Sequence, residues 1–166
     1  MALIQIRVLP DPVLRQKAKK VRGIDSSVRR LIDDMTDTMR AASGVGLAAP
    51  QVGIPLRVIV IEIPNEEAIT LLNPEVIKRE GERIVEEACL SIPGYKGEIK
   101  RAVSVKVRGR DPRGREVRLK GEELLAQALE HEIDHLNGIL YIDHLESMDK
   151  LSRLEPGLTP EAEGGL

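Results

Sequence analysis

Residues 121–137 carry two patterns at once, and few folds accommodate both. Leu124, Leu125, Ala128, Leu129, Ile133 and Leu136 recur three and four apart, the spacing of one apolar helix face, and Gly138 supplies a stop. His131-Glu132-Ile133-Asp134-His135 lies on the same stretch, so its two histidines stand one turn apart on a face that overlaps the apolar stripe. A helix of this kind is buried together with its histidines. Two neutral imidazole nitrogens, a flanking carboxylate and an open coordination position are what a metal hydrolase requires.

Two histidines do not fix a catalytic ion, so the chain must supply a third ligand. Gly138 continues one metalloprotease pattern, His-Glu-x-x-His-x-x-Gly-x-x-His, but the ligand position holds Tyr141, which argues against that class. Glu146 follows a loop and Glu155 stands in a Pro/Gly-rich segment, so neither lies on a convincing second helix. His144 has no motif around it and reads as a surface or core-edge residue. Cys89 is the strongest remaining candidate. A lone cysteine is ordinarily a small buried hydrophobe, and only the two histidines promote it to a thiolate ligand for ferrous iron or zinc. Three protein ligands with one open position is a catalytic count, whereas a structural zinc site takes four. A zinc endopeptidase using Glu146 or Glu155, and a non-catalytic metal-binding module, are the competing readings.

The core such a helix enters must be aliphatic, because the 166 residues include no Phe, no Trp and two Tyr. That length suits one domain without disulfides, and the single cysteine makes an intrachain disulfide impossible and points to the cytoplasm. A net charge of −2 gives no case for nucleic-acid binding. Met1–Arg7 lack the features of a signal peptide, and no apolar run approaches a membrane span.

Along the chain, Asp11-Pro12 opens a short helix, and a longer one is predicted from about Asp25 to Ala42, with Gly44 as its stop. Its Met35 and Met39 read as packing rather than a soft-metal box. Gly44–Gly53 has no helical period and lacks the Lys-Ser/Thr ending of a phosphate loop. Within it Gln51 alone offers both an amide donor and an acceptor. Arg57–Ile63 reads as a buried strand, with Ile69–Leu72 as a partner closed by Asn73-Pro74. Val103–Val107 and Val117–Leu119 flank the turn Asp111–Gly114 as a hairpin. Residues 151–166 read as a short, mobile acidic tail behind a catalytic domain spanning 1–150.

Three stretches together resemble the peptide deformylase family: Gly44-Val45-Gly46-Leu47-Ala48-Ala49-Pro50-Gln51, Glu87-Ala88-Cys89-Leu90-Ser91 and His131-Glu132-Ile133-Asp134-His135. Their order and spacing agree over residues 5 to 150, with Ala88 in place of the usual glycine. The resemblance implies a single-domain α+β fold with antiparallel β-sheets around a central metal-binding helix. It implies hydrolysis of the N-formyl group from the initiator methionine of new polypeptides, releasing formate. Cys89, His131 and His135 would hold one divalent ion, Fe2+ by family habit, with Zn2+, Ni2+ or Co2+ able to occupy the site. Glu132 would act as general base, and the Gln51 amide with the Leu90 backbone N–H as oxyanion donors. Val45, Gly46, Leu124 and Ala128 would line the substrate pocket. Partners implied are N-formylmethionyl nascent peptides and the ribosome that carries them.

Overall fold

The computed structural model describes residues 2–154. A short 3-10 turn, Pro12–Arg15, is capped by Asp11, whose carboxylate accepts from Val13 N–H at 3.0 Å. Helix α1, Ser26–Ala41, starts at Asp25, which accepts from Val28 N–H at 3.0 Å. Its stop is one residue earlier than the sequence suggests. Ser43, not Gly44, takes the left-handed conformation at φ 54°, and Gly44 N–H then reaches back to Met39 O at 3.0 Å. This is the backbone closure of a Schellman motif, built without its usual glycine.

Strands β1 (Gly46–Ala48), β2 (Val58–Ile61), β3 (Ile69–Glu80), β6 (Ser104–Arg110) and β7 (Glu116–Glu122) form an antiparallel five-stranded sheet in that order. A second sheet pairs β4 (Arg83–Cys89), β5 (Ile92–Arg101) and β8 (Leu151–Arg153). Helix α2, Glu123–Leu136, follows β7. The period-2 pattern explains why β2 is apolar throughout. Ile59 and Ile61 pack with α2, whereas Val58 and Val60 pack with Met35 and Met39 of α1 on the opposite face. Leu71 and Leu72 of β3 divide between the same two clusters. Burying one such side chain stabilises by about 1.5–3 kcal/mol, so the α1–sheet–α2 sandwich is the main apolar investment of the fold.

Two further expectations need correction. The strand starting at Ile69 does not close at Asn73-Pro74. It bulges there, between Leu72 and Glu75, and continues to Glu80. Pro74 has no N–H for the ladder, and Asn73, at φ 52°, turns its side chain onto the Val21 N–H and carbonyl at 2.8 and 2.9 Å. Leu151–Arg153, assigned to the tail, instead pair with β5, bringing Arg153 over the Tyr95 ring. The remainder of the expected tail, 155–166, lies outside the described residues, as does Glu155. No helix among the described residues is long and apolar enough to cross a membrane.

Candidate metal centre

Helix α2 is buried almost all round, from Ala126 to Ile133 and again at His135 and Leu136. His131 and His135 emerge on its flank toward the second sheet, where β4 ends at Cys89. The ligand atoms of Cys89, His131 and His135 all lie within 4.8 Å of one another, and all three residues are buried. His135 Nε2 is 3.2 Å from His131 Nε2 and 3.4 Å from Cys89 Sγ. Ser91 N–H also points at Sγ, at 3.4 Å.

The electrostatics fit a cation here. Burial works to raise Glu87, but His131 and Arg101 outweigh it and hold its carboxyl at about 2. Glu87 is therefore an acceptor, and His131 donates Nδ1–H to its Oε2 at 2.6 Å, which turns Nε2 toward Cys89 and His135. Burial disfavours charge on His131, yet Glu87, Glu132 and Cys89 raise its pKa well above the ordinary value. Burial and the neighbouring His131 lower His135 well below it. One sulfur and two imidazole nitrogens converging in this way form a donor set that suits a divalent iron or zinc ion.

Glu132 completes the pocket. Both its oxygens are buried without a hydrogen-bond partner among the described residues. Burial pushes its carboxyl up to about 7, with His131 pulling the other way. Gly46 of β1 packs directly on it: a Cβ there would lie 2.5 Å from Oε2. A carboxylate so placed costs stability and has the free lone pairs that a proton acceptor needs. Gln51, fully buried rather than facing water, accepts from Ala48 N–H at 2.9 Å and donates to Ser91 Oγ at 3.1 Å. Its Nε2 also lies 3.7 Å from Cys89 Sγ, so the 3-10 turn Ala49–Val52 is folded onto the cysteine loop. The Leu90 side chain packs against Gly44 in the same contact.

Residues 3–151 match the family model for polypeptide deformylase. The chain belongs to the polypeptide deformylase family. It is a hydrolase that removes the N-formyl group from nascent peptides, the family's metal-dependent reaction. The peptide deformylase of Dehalococcoides mccartyi is 57% identical over 157 residues, covering 94% of both chains. That of Alkaliphilus metalliredigens is 54% identical over 145 residues, 87% of this chain and 98% of its own. Among solved structures, the Legionella pneumophila deformylase superposes with a TM-score of 0.86 at 46% identity, over 90% of this chain and 89% of its own. The Synechococcus elongatus deformylase, solved in complex with actinonin, also gives 0.86, at 42% identity, over 89% of this chain and 81% of its own.

Other residues singled out from the sequence are spread around this deformylase centre. Val45 and Leu124 line adjoining clefts that share Ile63 and Glu66. Ala128 has no exposure and packs in the main core, outside both clefts. Ala88, the departure from the family glycine, lies in β4 at an ordinary φ, so its methyl imposes no backbone strain. Glu146 is not near the cluster: it pairs with Lys100 at 3.2 Å.

Sequence reasoning missed the ion network behind His131. Arg101 grips Glu87 with Nε and Nη2, at 3.0 and 2.6 Å, and its Nη1 donates to Asp134 Oδ2 at 2.8 Å. Gln127 donates a further bond to Glu87 at 3.2 Å. Glu87 and Asp134 stood inside quoted motifs, so their positions were a usable signal. Arg101, at the end of a charged strand, gave none.

Proposed function

We propose that this deformylase works through one divalent ion held by Cys89, His131 and His135, with Glu132 as general base. The observation carrying the reading is that three converging ligand atoms are buried next to Glu132, whose carboxylate oxygens have no hydrogen-bond partner among the described residues. An ion bound there, Fe2+ foremost, supplies an electrophile and makes a neighbouring water more acidic. Glu132 accepts that water's proton as oxygen bonds to the formyl carbon. It then delivers the proton to the departing amine nitrogen as the C–N bond breaks, giving formate and a free N-terminus. The Gln51 amide and Leu90 N–H donate to the formyl oxygen as it gains charge; loss of one such donor costs about 100- to 1,000-fold in rate. Val45 and Leu124 line the clefts by which the methionine side chain approaches, with Gly46 packed on Glu132, whereas Ala128 backs them from the core without reaching the surface. We assign the work to the cytoplasm, on formylmethionyl chains leaving the ribosome.

The test is formate release from a formyl-Met peptide by protein loaded anaerobically with Fe2+, beside Cys89→Ala and Glu132→Gln. Cys89→Ala is expected to lose both ion and turnover, and Glu132→Gln to keep the ion and lose turnover. Retention of the ion by Cys89→Ala, or of turnover by Glu132→Gln, sinks the corresponding assignment.

A further inference from the structure

We infer that His144 is a positioning residue of the metal centre, acting through Asp134, Arg101 and Glu87 on His131; the inference rests on the ligand assignment proposed above. His144 ends the 3-10 turn Tyr141–His144. Its Nε2 lies 2.8 Å from Asp134 Oδ2, the same oxygen that accepts from Arg101 Nη1 at 2.8 Å. Arg101 then holds both oxygens of Glu87, and Glu87 Oε2 fixes His131 Nδ1. Five side chains thus form an unbroken line from the surface to a ligand. Side-chain exposure falls along it, from 37% at His144 and 14% at Asp134 to 2% at Arg101, 0% at Glu87 and 1% at His131.

Only the outer end is wet, and that end decides how firmly the line is held. Arg101 has a fixed geometry: its planar fork meets Glu87 on one side and Asp134 on the other. The Asp134 carboxylate therefore sets the angle of the guanidinium, and the guanidinium sets the angle of Glu87. His144 closes Asp134 Oδ2 against water. Without that contact the carboxylate is free to turn toward solvent, and Arg101 loses one of its two anchors. Glu87 then aims less steadily at Nδ1, and the His131 ring that presents Nε2 is freer to swing. The turn carrying His144 is itself pinned, since Arg15 donates to both oxygens of Asp143 at 2.5 and 3.1 Å. His144 is consequently held at a set distance from α2 rather than reaching across a mobile loop.

Zinc-loaded protein mixed with an excess of a chromogenic chelator gives the rate of zinc release, a readout independent of turnover. Removing a direct partner of a ligating histidine typically costs about 10- to 100-fold in affinity, so His144→Ala, three links further out, is expected to release zinc about three- to tenfold faster. His144→Gln, whose amide reaches Asp134, should restore the parental rate. Glu146→Ala, on the same loop but paired with Lys100, should leave it unchanged. Should His144→Ala fail to fold, His144→Asn, with its shorter reach, takes its place. A parental rate in His144→Ala overturns the inference, and so does equal acceleration in all three variants. Failure of the parent to hold one zinc per chain overturns the ligand assignment itself, a separate result.

Discussion

Replacing Gly46 by alanine puts a methyl group 2.5 Å from Glu132 Oε2 and 3.0 Å from both Cδ and Cγ. Gly46 lies in β1 opposite Ile61, at an ordinary φ, so alanine suits the backbone and the strand is retained. The strain falls on the carboxylate. Ordinary contact begins near 3.4 Å, so in a close-packed interior Glu132 must retreat by about 1 Å. Turning only the terminal bond gives no relief, because Cγ is crowded too and the residue has no exposure. A catalytic group displaced by about 1 Å costs about 100-fold in rate, equivalent to about 2.7 kcal/mol of barrier. The assay is kcat for formate release from a formyl-Met peptide, with ion content and circular dichroism measured on the same sample. We expect kcat to fall about 100-fold with one ion per chain retained. Gly44→Ala is the internal comparison, because its methyl meets the flexible tip of Leu90 at 2.9 Å and should cost far less. A folded, ion-replete Gly46→Ala protein within threefold of the parent refutes the claim that the position of Glu132 is fixed by this contact.

Ser43→Gly removes the left-handed strain at φ 54° and is expected to raise stability by about 1 kcal/mol in urea titration; a lower midpoint contradicts the assignment of the helix stop. Arg101→Met leaves Glu87 and Asp134 without their shared cation in the interior. The expected loss is about 3–5 kcal/mol, read from the same titration, and a change below about 1 kcal/mol would show that the pair relaxes into water. At Asp143, burial raises the pKa, but hydrogen bonds from Arg15 and from Leu140 N–H outweigh it and leave the net value lowered. A lowered acid contributes stability above its ordinary value of 3.8 and loses it as pH falls through the folded value. The stability gap between the parent and Arg15→Ala, at most about 1 kcal/mol for so exposed a pair, should accordingly close on acidification. A gap that widens below pH 4 contradicts this sign.

Periodic segments were the legible part of the chain. Both helices, the β6–β7 hairpin and the buried β2 followed from apolar spacing, and His131, His135 and Glu132 followed from the turn they occupy. The β4–β5 hairpin was opaque. Its outward positions carry Glu86, Glu98 and Lys100, and its inward ones include Glu87 and Arg101, so the strand signal is drowned by charges on both faces. Those inward charges are tolerable only because they neutralise each other across the strands, a contact between distant positions that no local pattern encodes. Cys89 could be promoted by elimination, yet its proximity to Gln51 and Ser91 depended on the same hidden hairpin. Asn73-Pro74 misled for another reason: the pair is good turn chemistry, and here it makes a bulge because Asn73 finds substitute partners on Val21.

The ligands reach their meeting point from two different layers. His131 and His135 belong to a helix cemented to the five-stranded sheet, whereas Cys89 belongs to the three-stranded sheet, whose apolar cluster is separate. The polar line of Glu87, Arg101 and Asp134 runs between the layers. An ion on the three ligands is therefore also a rivet through a seam that apolar packing only partly closes, and its binding free energy counts toward holding the layers together. A chelator is therefore expected to act on this chain as a selective denaturant, with amide hydrogens of β4 and β5 exchanging earlier than those of β2 and β3 once the rivet is drawn.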